Sequence, residues 1–451
     1  MTHCVWLLLS GIGDAPVWGT GLDDEIRAGA GFQSLIVGIG RSYSTSTDGH
    51  LLIWDYNGVL FRSHATGIAE MDEFFGGCRA GDSVIAVGFT SVLGNSDGLF
   101  VVADSLGNPS SILAIGGPMA ECLDAASGQY AVGYTNSWGS GASDVFLLRI
   151  LDGSVVWALA FGGYTFDYGK DITQLNQDAI ITGYTESYGN LGQTILLRVD
   201  HDGNLRWCKV FGGPGYDTGH RVGILGDTII VVGRDGSNGG GILLFATDTL
   251  GNLLWARLLR ATGYEYPLGL TVDGESIYVS GKHTNGGPAF LLKLSSDGTI
   301  IWSKYLGGNS SDGIWVLYPA AGQIIGLGYT SSFGFGRRDF LFASIDPWGY
   351  SCIARDANFT SVEISLPQKD TTPEQVSVNP QVVSLNNTFF EPTLSSAVWC
   401  EGISVEESQI CPPGEAGLYD CTGRRLMSQP KKYGIYFKID NHGRVGRFVV
   451  R

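Results

Sequence analysis

The sequence predicts an all-β protein, a seven-bladed β-propeller followed by a small C-terminal β-sandwich-like domain. Three observations lead to this prediction: one apolar strand is repeated seven times, a glycine turn follows each copy, and the composition is rich in glycine and aromatic residues. Of the 451 residues, 67 are glycine and 16% are charged. Many short strands joined by tight turns have this composition, whereas a helical bundle does not.

The repeated strand reads SVIAVGFTS, AIITGYTES or QIIGLGYTSS, and each copy has a glycine near its centre. Consecutive copies are 45 to 50 residues apart, because the seven glycines are Gly38, Gly88, Gly133, Gly183, Gly233, Gly281 and Gly328. A period of this length, holding about four short strands, is typical of one propeller blade. Seven periods therefore predict seven blades.

A second glycine follows each copy in a D-G or similar pair between two apolar strands. There it supplies the positive φ that a two-residue hairpin requires. The seven turn glycines are Gly58, Gly107, Gly153, Gly203, Gly251, Gly298 and Gly349. A tryptophan marks the next strand in four repeats, at Trp157, Trp207, Trp255 and Trp302.

The ends of the repeat region predict how the ring closes. Residues 3 to 9, with Trp6, match the tryptophan strand, yet no complete repeat precedes them. The seventh repeat stops near Ser351 without such a strand. We therefore expect residues 3 to 9 to form the outer strand of the blade of residues 310 to 350, in a propeller that spans residues 1 to 351. This arrangement leaves no open edge; a frayed N-terminal tail is the alternative.

Blocks such as GNLLW, FGG, YDTG and IITGYTES resemble the repeats of bacterial and archaeal secreted β-propellers. The resemblance covers roughly residues 3 to 351. It implies the fold and an extracellular or cell-surface location, but it implies no particular function, since a fold hosts many functions.

The period is lost after Ser351. Residues 352 to 402 are rich in Thr, Pro, Asn and Ser, and we predict a linker or an irregular β-extension. Residues 403 to 451 resemble the C-terminal sorting domain of type IX secretion cargo, which implies export followed by cleavage or anchoring. The alternative is a β-domain that packs against a neighbour. The matching residues are Tyr419, Asp420, Gly423, Arg424, Gly434, Tyr436 and Phe437.

Charge and hydropathy exclude two classes of partner. The 28 Lys and Arg residues face 44 Asp and Glu residues, for a formal net charge of −16. Such a surface repels nucleic acid and anionic lipid. Because no apolar run approaches the roughly 18 residues that cross a bilayer, we expect no transmembrane segment.

The eight cysteines form no CxxC pair and show no metal-ligand spacing. Four lie in the last hundred residues, and an exported chain favours disulfides there. We predict that Cys411 pairs with Cys421 and that Cys352 pairs with Cys400. The other four are predicted to be buried and unpaired: Cys4, Cys78, Cys122 and Cys208.

A carboxylate recurs about 16 residues before each strand glycine. Two interpretations are open: the seven acids form a ring at the channel mouth that binds a cation, or each caps backbone N–H groups locally, which we favour. The residues are Asp24, Asp72, Glu121, Asp167, Asp217, Glu265 and Asp312.

No catalytic motif is present. The sequence lacks G-x-S-x-G, HExxH and phosphate-loop patterns, and the sialidase-type box fails because Asp297 and Gly298 are adjacent. We therefore expect no enzyme, no catalytic residue, no cofactor and no metal. We expect an extracellular structural or adhesive protein that associates with itself or with cell-surface components, as a filament or surface layer built head to tail through its C-terminal domain. The alternative is a propeller that binds or processes glycans at its channel face.

Overall fold

The computed structural model describes residues 15–21, 23–43, 47–69, 71–189, 191–262, 265–320, 322–386, 389–392 and 394–399, and four short strands beyond them. Every regular element among these residues is a β-strand. No helix in this part of the chain is long and apolar enough to span a membrane. The chain divides into two compact units, Met1–Val398 and Trp399–Arg451.

The first unit is a seven-bladed propeller, as predicted. Each blade is an antiparallel sheet whose strands follow one another from the inner to the outer edge. Inner strands of consecutive blades contact each other, and the first contacts the seventh, so the ring is closed.

The blades have the following strands, from inner to outer. Blade 1 has Asp23–Gly31, Leu35–Tyr43, Thr47–Asp55 and Leu60–Ala65; blade 2 has Asp72–Ala80, Ser83–Thr90, Asp97–Asp104 and Pro109–Gly116. Blade 3 has Glu121–Ser127, Tyr130–Thr135, Asp144–Leu151 and Ser154–Gly162; blade 4 has Asp167–Leu175, Asp178–Thr185, Gln193–Val199 and Leu205–Phe211. Blade 5 has Thr218–Leu225, Thr228–Asp235, Gly241–Thr247 and Leu253–Arg260; blade 6 has Glu265–Asp273, Ser276–His283, Ala289–Ser295 and Ile300–Leu306. Blade 7 has Asp312–Ala320, Gln323–Thr330, Asp339–Ile345 and Ala15–Gly19.

The strand that completes blade 7 differs from the predicted one. Ala15–Gly19 pairs with Asp339–Ile345, with Val17 opposite Leu341, whereas residues 3 to 9 lie outside the described residues. The reason is spacing: Gly19 stands five residues before Asp24, as Gly162 stands before Asp167. A strand at residues 3 to 9 would leave a much longer connection to blade 1 than any other pair of blades has.

The repeated strand glycine is required by a close backbone contact. A Cβ at Gly183 would lie 1.8 Å from the carbonyl oxygen of Tyr168, and one at Gly88 would lie 1.7 Å from that of Glu73. In blade 1 the equivalent residue is Gly40, which faces the carbonyl of Glu25, and not Gly38. The second strand therefore presses against the inner strand at the same place in every blade.

The turn glycines adopt positive φ as predicted, from 73° at Gly153 to 90° at Gly203. In blade 3 the loop has two residues as predicted, Asp152 and Gly153, both with positive φ, between the paired Leu151 and Ser154. In the other six blades the loop has three residues: Asp200 N, for example, donates to Asn204 O, and Gly203 N donates to Asp200 O. A type I turn followed by a left-handed glycine closes such a loop. The repeated turn also explains why a tryptophan recurs in the outer strand. Trp157 Nε1 donates a hydrogen bond to His201 O in the turn of the next blade.

The described residues between 354 and 399 form a belt around the ring, which the sequence predicts only as a linker or irregular extension. The belt adds a fifth strand to the outer edge of six blades and a single bridge, Ala65 to Phe390, to blade 1. In chain order the belt strands are Ala354–Asp356 on blade 6, Thr360–Glu363 on blade 5, Gln368–Thr371 on blade 4, Glu374–Val378 on blade 3, Gln381–Ser384 on blade 2 and Ser395–Trp399 on blade 7.

Apolar side chains anchor the belt between blades. Ile353, Phe359, Leu366 and Pro373 are buried and are spaced six or seven residues apart. Phe359 joins the apolar cluster between blades 5 and 6, and Leu366 joins the one between blades 4 and 5. The belt thus covers the outer edges with hydrogen bonds and fills the gaps behind them.

The second unit contains one four-stranded sheet in its described residues, in the order Arg425–Leu426, Gly417–Asp420, Gly434–Ile439 and Val445–Val450. Of the residues that carry the sorting-domain resemblance, Tyr419, Asp420, Gly434, Tyr436 and Phe437 lie in these strands. Gly423 and Arg424 lie outside the described residues.

Candidate functional site

The seven predicted acids stand where the inner strands of the seven blades begin. Each is buried, with at most 2% of its surface exposed. A short acid at this position is drawn inward because the loops around it present unpaired N–H and O–H groups. This burial is what the local-capping interpretation expects, and cation binding by these acids stays a prediction.

Asp312 shows how such a cap is made. Its Oδ2 accepts hydrogen bonds from Gly308 N at 3.0 Å and from Ser332 Oγ at 2.7 Å. Its Oδ1 accepts one from Thr330 Oγ1 at 2.6 Å. Burial raises the pKa of Asp312, although these bonds oppose the shift. One carboxylate thus joins the loop that enters the blade to the next hairpin of the same blade.

A second set of acids escaped the sequence analysis. Asp97, Asp144 and Asp339 each begin the third strand of a blade and are almost fully buried. Burial raises the pKa of Asp97 and of Asp144 to about 6, with Glu121 and Asp167 as the neighbouring charges that add to the shift. The sequence signal is weak, since the matching positions in blades 4, 5 and 6 are Gln193, Gly241 and Ala289.

The bulge residues of the inner strands also escaped the sequence analysis. The inner strand of every blade has a β-bulge three residues after its acid, which leaves one residue unpaired and turned out of the ladder. The periodic acid is the signal that could have located them. The seven bulge residues are Arg27, Phe75, Asp124, Lys170, His220, Leu268 and Trp315.

Four of the bulge residues, Arg27, Phe75, Asp124 and Trp315, line a central cavity of about 190 Å³. Arg27 lies over two aromatic rings there, 4.8 Å from the centroid of Phe75 and 5.2 Å from that of Trp315. Arg221 also lies over Trp315, at 5.6 Å. Asp124 and Asp171 line the cavity as well, so its wall combines cations, carboxylates and aromatic faces.

Ion pairs hold Arg27, which lines the cavity, together with two further arginines. Glu25 binds Arg27 at 3.2 Å, Arg41 at 3.3 Å and Arg338 at 3.4 Å, and Arg41 also binds Glu73. Burial alone would raise the pKa of Glu25, but the three guanidiniums outweigh it and the net shift is downward. Glu25 therefore remains a carboxylate that holds three arginines from blades 1 and 7 around one point.

His220 is the one histidine among the bulge residues. Burial, with the nearby charges of Arg221 and Lys170, lowers its pKa to about 3. Its ring lies 4.7 Å from that of Tyr266, edge to face. The imidazole is therefore neutral at physiological pH, and its Nε2 lies 2.8 Å from Thr218 Oγ1.

A row of aromatic rings crosses blades 4 and 5 on the side where the acids lie. Phe166, Tyr168, Tyr184 and Tyr216 follow one another at centroid distances of 6.2, 6.2 and 5.9 Å, with nearly parallel planes. Glu186 accepts hydrogen bonds from Tyr184 and Tyr216. Tyr216 is 50% exposed and Phe166 is 42% exposed, so this aromatic row offers apolar surface with polar groups beside it.

Of the four cysteines predicted to be buried and unpaired, three are described. Cys122 and Cys208 are buried and free, and Cys78 is half-buried and free. Burial raises the pKa of the Cys122 and Cys208 thiols well above the usual value. Cys352 is described, but Cys4, Cys400, Cys411 and Cys421 lie outside the described residues, so both proposed disulfides stay predictions.

No family model matches the chain, and no curated protein matches it. Among solved structures, Sqt1 from Chaetomium thermophilum is 10% identical with a TM-score of 0.42, over 73% of this chain and 98% of that chain. The endosialidase of phage phi92 is 9% identical with a TM-score of 0.41, over 97% and 87%. A Trypanosoma rangeli sialidase is 10% identical with a TM-score of 0.38, over 71% and 53%. Likeness at this level concerns the fold, and no activity is transferred from it.

Proposed function

We propose that this chain is a non-catalytic structural or adhesive protein of the cell exterior. The belt is the observation that carries the proposal. The described belt strands are hydrogen-bonded to the outer strands of six blades, and Lys209 of blade 4 forms an ion pair with Asp370 of the belt at 2.9 Å. A blade can move outward only if its pairs with the belt break, so the ring is suited to bear load.

The acidic residues support a structural role. Catalytic carboxylates need a face directed toward substrate, whereas Asp167 accepts bonds from Gly163 N at 2.8 Å and from Ser187 Oγ at 2.7 Å. Asp217 is engaged in the same way by Gly213 N and Gly236 N. These side chains hold loops in place, which gives the propeller face a fixed shape for contacts.

The test is whether the purified full chain associates. Electron microscopy with light scattering is expected to show filaments or higher assemblies of the full chain. The matched control ends at residue 402, which keeps the belt and is expected to give single rings. A full chain that remains monomeric at high concentration, and that does not stay on the producing cell, contradicts the proposal.

A second candidate is carbohydrate binding, favoured by the aromatic row. Aromatic side chains with an apolar body and a polar tip are common in recognition surfaces. A glycan array would test it, with Phe166→Ser and Tyr216→Ser as variants that reduce the signal. Leu250→Ser is the control, because Leu250 is 63% exposed in a turn between third and outer strands. Equal signal from all variants contradicts this candidate.

A further inference from the structure

Two buried carboxylates meet where blade 3 joins blade 4. A Cβ at Gly162 would lie 1.7 Å from Asp144 Oδ1 and 2.9 Å from Asp167 Oδ2. Glycine therefore leaves room for both oxygens beside the backbone. Asp144 Oδ1 is buried and has no hydrogen-bond partner, while its Oδ2 accepts a bond from Gly141 N.

The same arrangement recurs where blade 7 joins blade 1. A Cβ at Gly19 would lie 1.8 Å from Asp339 Oδ1 and 3.1 Å from Asp24 Oδ2. Asp339 Oδ1 again has no partner, and Asp339 is fully buried. Its Oδ2 accepts bonds from Phe335 N and Gly336 N, so one oxygen caps a loop and the other faces the second acid.

Blades 2 and 3 meet in the third such pair. Asp97 Oδ1 lies 1.8 Å from the position of a Cβ at Gly116 and has no hydrogen-bond partner. Glu121 Oε2 accepts a hydrogen bond at 2.7 Å from the N–H of Gly117, next to Gly116, as Asp167 Oδ2 accepts one from Gly163, next to Gly162. The charge of Glu121 adds to the upward shift of the pKa of Asp97. The three pairs are therefore equivalent stations on one ring, each made by a third-strand aspartate and the first acid of the next blade.

At one junction between blades, an amide side chain replaces the third-strand aspartate. Gln193 takes the place of the third-strand aspartate where blade 4 joins blade 5, next to Asp217. Its Nε2 donates to Gly213 O at 2.7 Å. The amide of Gln193 can donate a hydrogen bond and carries no charge. A carboxylate at the same position has no donor and repels the neighbouring carboxylate.

A buried carboxylate that lacks a donor is costly, and a second carboxylate beside it adds repulsion. A divalent cation removes both costs. Carboxylate oxygens are the ligands that Ca²⁺ prefers, at ~2.3–2.6 Å. At Gly162 and at Gly19 one oxygen of each acid lies within 3.1 Å of the same Cβ position, so one ion can reach both carboxylates there. At the blade 3 station, Glu374 of the belt lies in register with Gly162 and adds a third negative charge nearby.

We propose that the pairs Asp144/Asp167, Asp339/Asp24 and Asp97/Glu121 are Ca²⁺ sites that join adjacent blades. Among the described residues, no three His, Cys, Asp or Glu side chains form a metal-binding group. Each site would therefore complete its shell with backbone carbonyls and water. A site of two carboxylates completed by water is expected to bind Ca²⁺ weakly. We expect a dissociation constant of about 10⁻⁴ to 10⁻³ M, the range of extracellular calcium-binding modules.

The experiment uses the full chain after removal of metals with a chelator. Equilibrium dialysis against CaCl₂ at pH 7.5 is expected to give about three bound ions per chain, by the count of stations proposed above. Thermal unfolding is expected to shift upward by at least about 2 °C at 10 mM CaCl₂, because ligands that bind the native state stabilise it. MgCl₂ is expected to shift it less.

Variants identify the sites. Asp144→Asn copies the amide of Gln193 and is expected to lower the stoichiometry by one; the triple variant D97N/D144N/D339N is expected to lose the Ca²⁺ shift. Asp217→Asn is the matched control, since it removes the first acid at the station that already has an amide: Tm falls, but the Ca²⁺ response stays. No bound Ca²⁺ in the wild type, or an undiminished shift in the triple variant, overturns the proposal. Stabilisation by low pH alone, without any Ca²⁺ effect, also overturns it and shows that each pair shares a proton.

Discussion

The ring of Phe359, on the belt, lies 5.3 Å from the ring of Phe290, in the third strand of blade 6. The Tyr305 ring, in the outer strand of the same blade, lies 6.1 Å from the Phe359 ring. One belt residue thus rests on two strands of the same blade. The belt is therefore packed into the propeller core and not only hydrogen-bonded to its edge.

Replacing this anchor tests the packing. Phe359→Ala is expected to lower the free energy of unfolding by about 3 kcal/mol, the lower end of the range for buried phenylalanines, because the belt can partly relax. The measurement is denaturant unfolding monitored by tryptophan fluorescence. Val362→Ala, on the same belt but 54% exposed, should change stability by less than about 0.5 kcal/mol. Equal effects of the two substitutions would contradict the packing.

Two truncations separate the belt from the second unit. A chain that ends at residue 402 retains every belt strand and is expected to unfold at nearly the temperature of the full chain. A chain that ends at residue 353 exposes six outer strands, so we expect a clearly lower Tm and faster proteolysis. Differential scanning calorimetry and limited proteolysis measure both. A belt that is dispensable for stability would be inconsistent with the structure.

The capping acids are expected to matter for stability. Asp312→Ala leaves donors of Gly308, Thr330 and Ser332 buried without their acceptor, and we expect a loss of roughly 3 kcal/mol. Asp297→Ala removes an aspartate of an exposed turn, and we expect a loss below about 1 kcal/mol. Urea unfolding of the two variants gives the comparison. An Asp312 variant as stable as the Asp297 variant would mean that the cap is not formed.

The paired acids predict a pH dependence in calcium-free buffer. Asp97 and Asp144 have pKa values raised to about 6 from 3.8, so the folded state favours their neutral forms. Their contribution to stability is complete below pH 3.8 and is lost as the pH rises through 6. Glu121 faces Asp97, and Asp167 and Glu374 face Asp144.

Other groups act in the opposite direction, so a variant is needed for the comparison. His50 has a pKa lowered to about 4 by burial, and its contribution is present above pH 6.5 and is lost as the pH falls through 4. The difference in Tm between wild type and D97N/D144N isolates the carboxyl pairs. That difference should change between pH 4 and pH 7; a constant difference would refute the assignment.

Thiol chemistry separates the two groups of cysteines. Cys122 and Cys208 are buried with raised thiol pKa values, so alkylation of the native chain should not label them, because the thiolate is the reactive form. After denaturation both should react. Mass spectrometry of the unreduced chain should find Cys352–Cys400 and Cys411–Cys421. Eight free thiols would contradict the disulfides and weaken the case for export.

The sequence by itself determined the number of blades, because each blade needs the same backbone contact. Gly183 and its equivalents must be glycine, since a Cβ would meet a carbonyl oxygen of the inner strand. The turn glycines must adopt positive φ. Requirements of this kind act on single residues within one blade, so they recur in the sequence and can be counted.

Only the tertiary structure decided which segments complete the ring. The belt strands have three to five residues, mostly exposed, and are held by backbone hydrogen bonds that any residue can form, so they leave no strand pattern in the sequence. The pairing of Asp144 with Asp167 was hidden for a related reason. The two residues are 23 positions apart and belong to different blades, and they meet only because Gly162 lies between them and adjacent blades pack side by side.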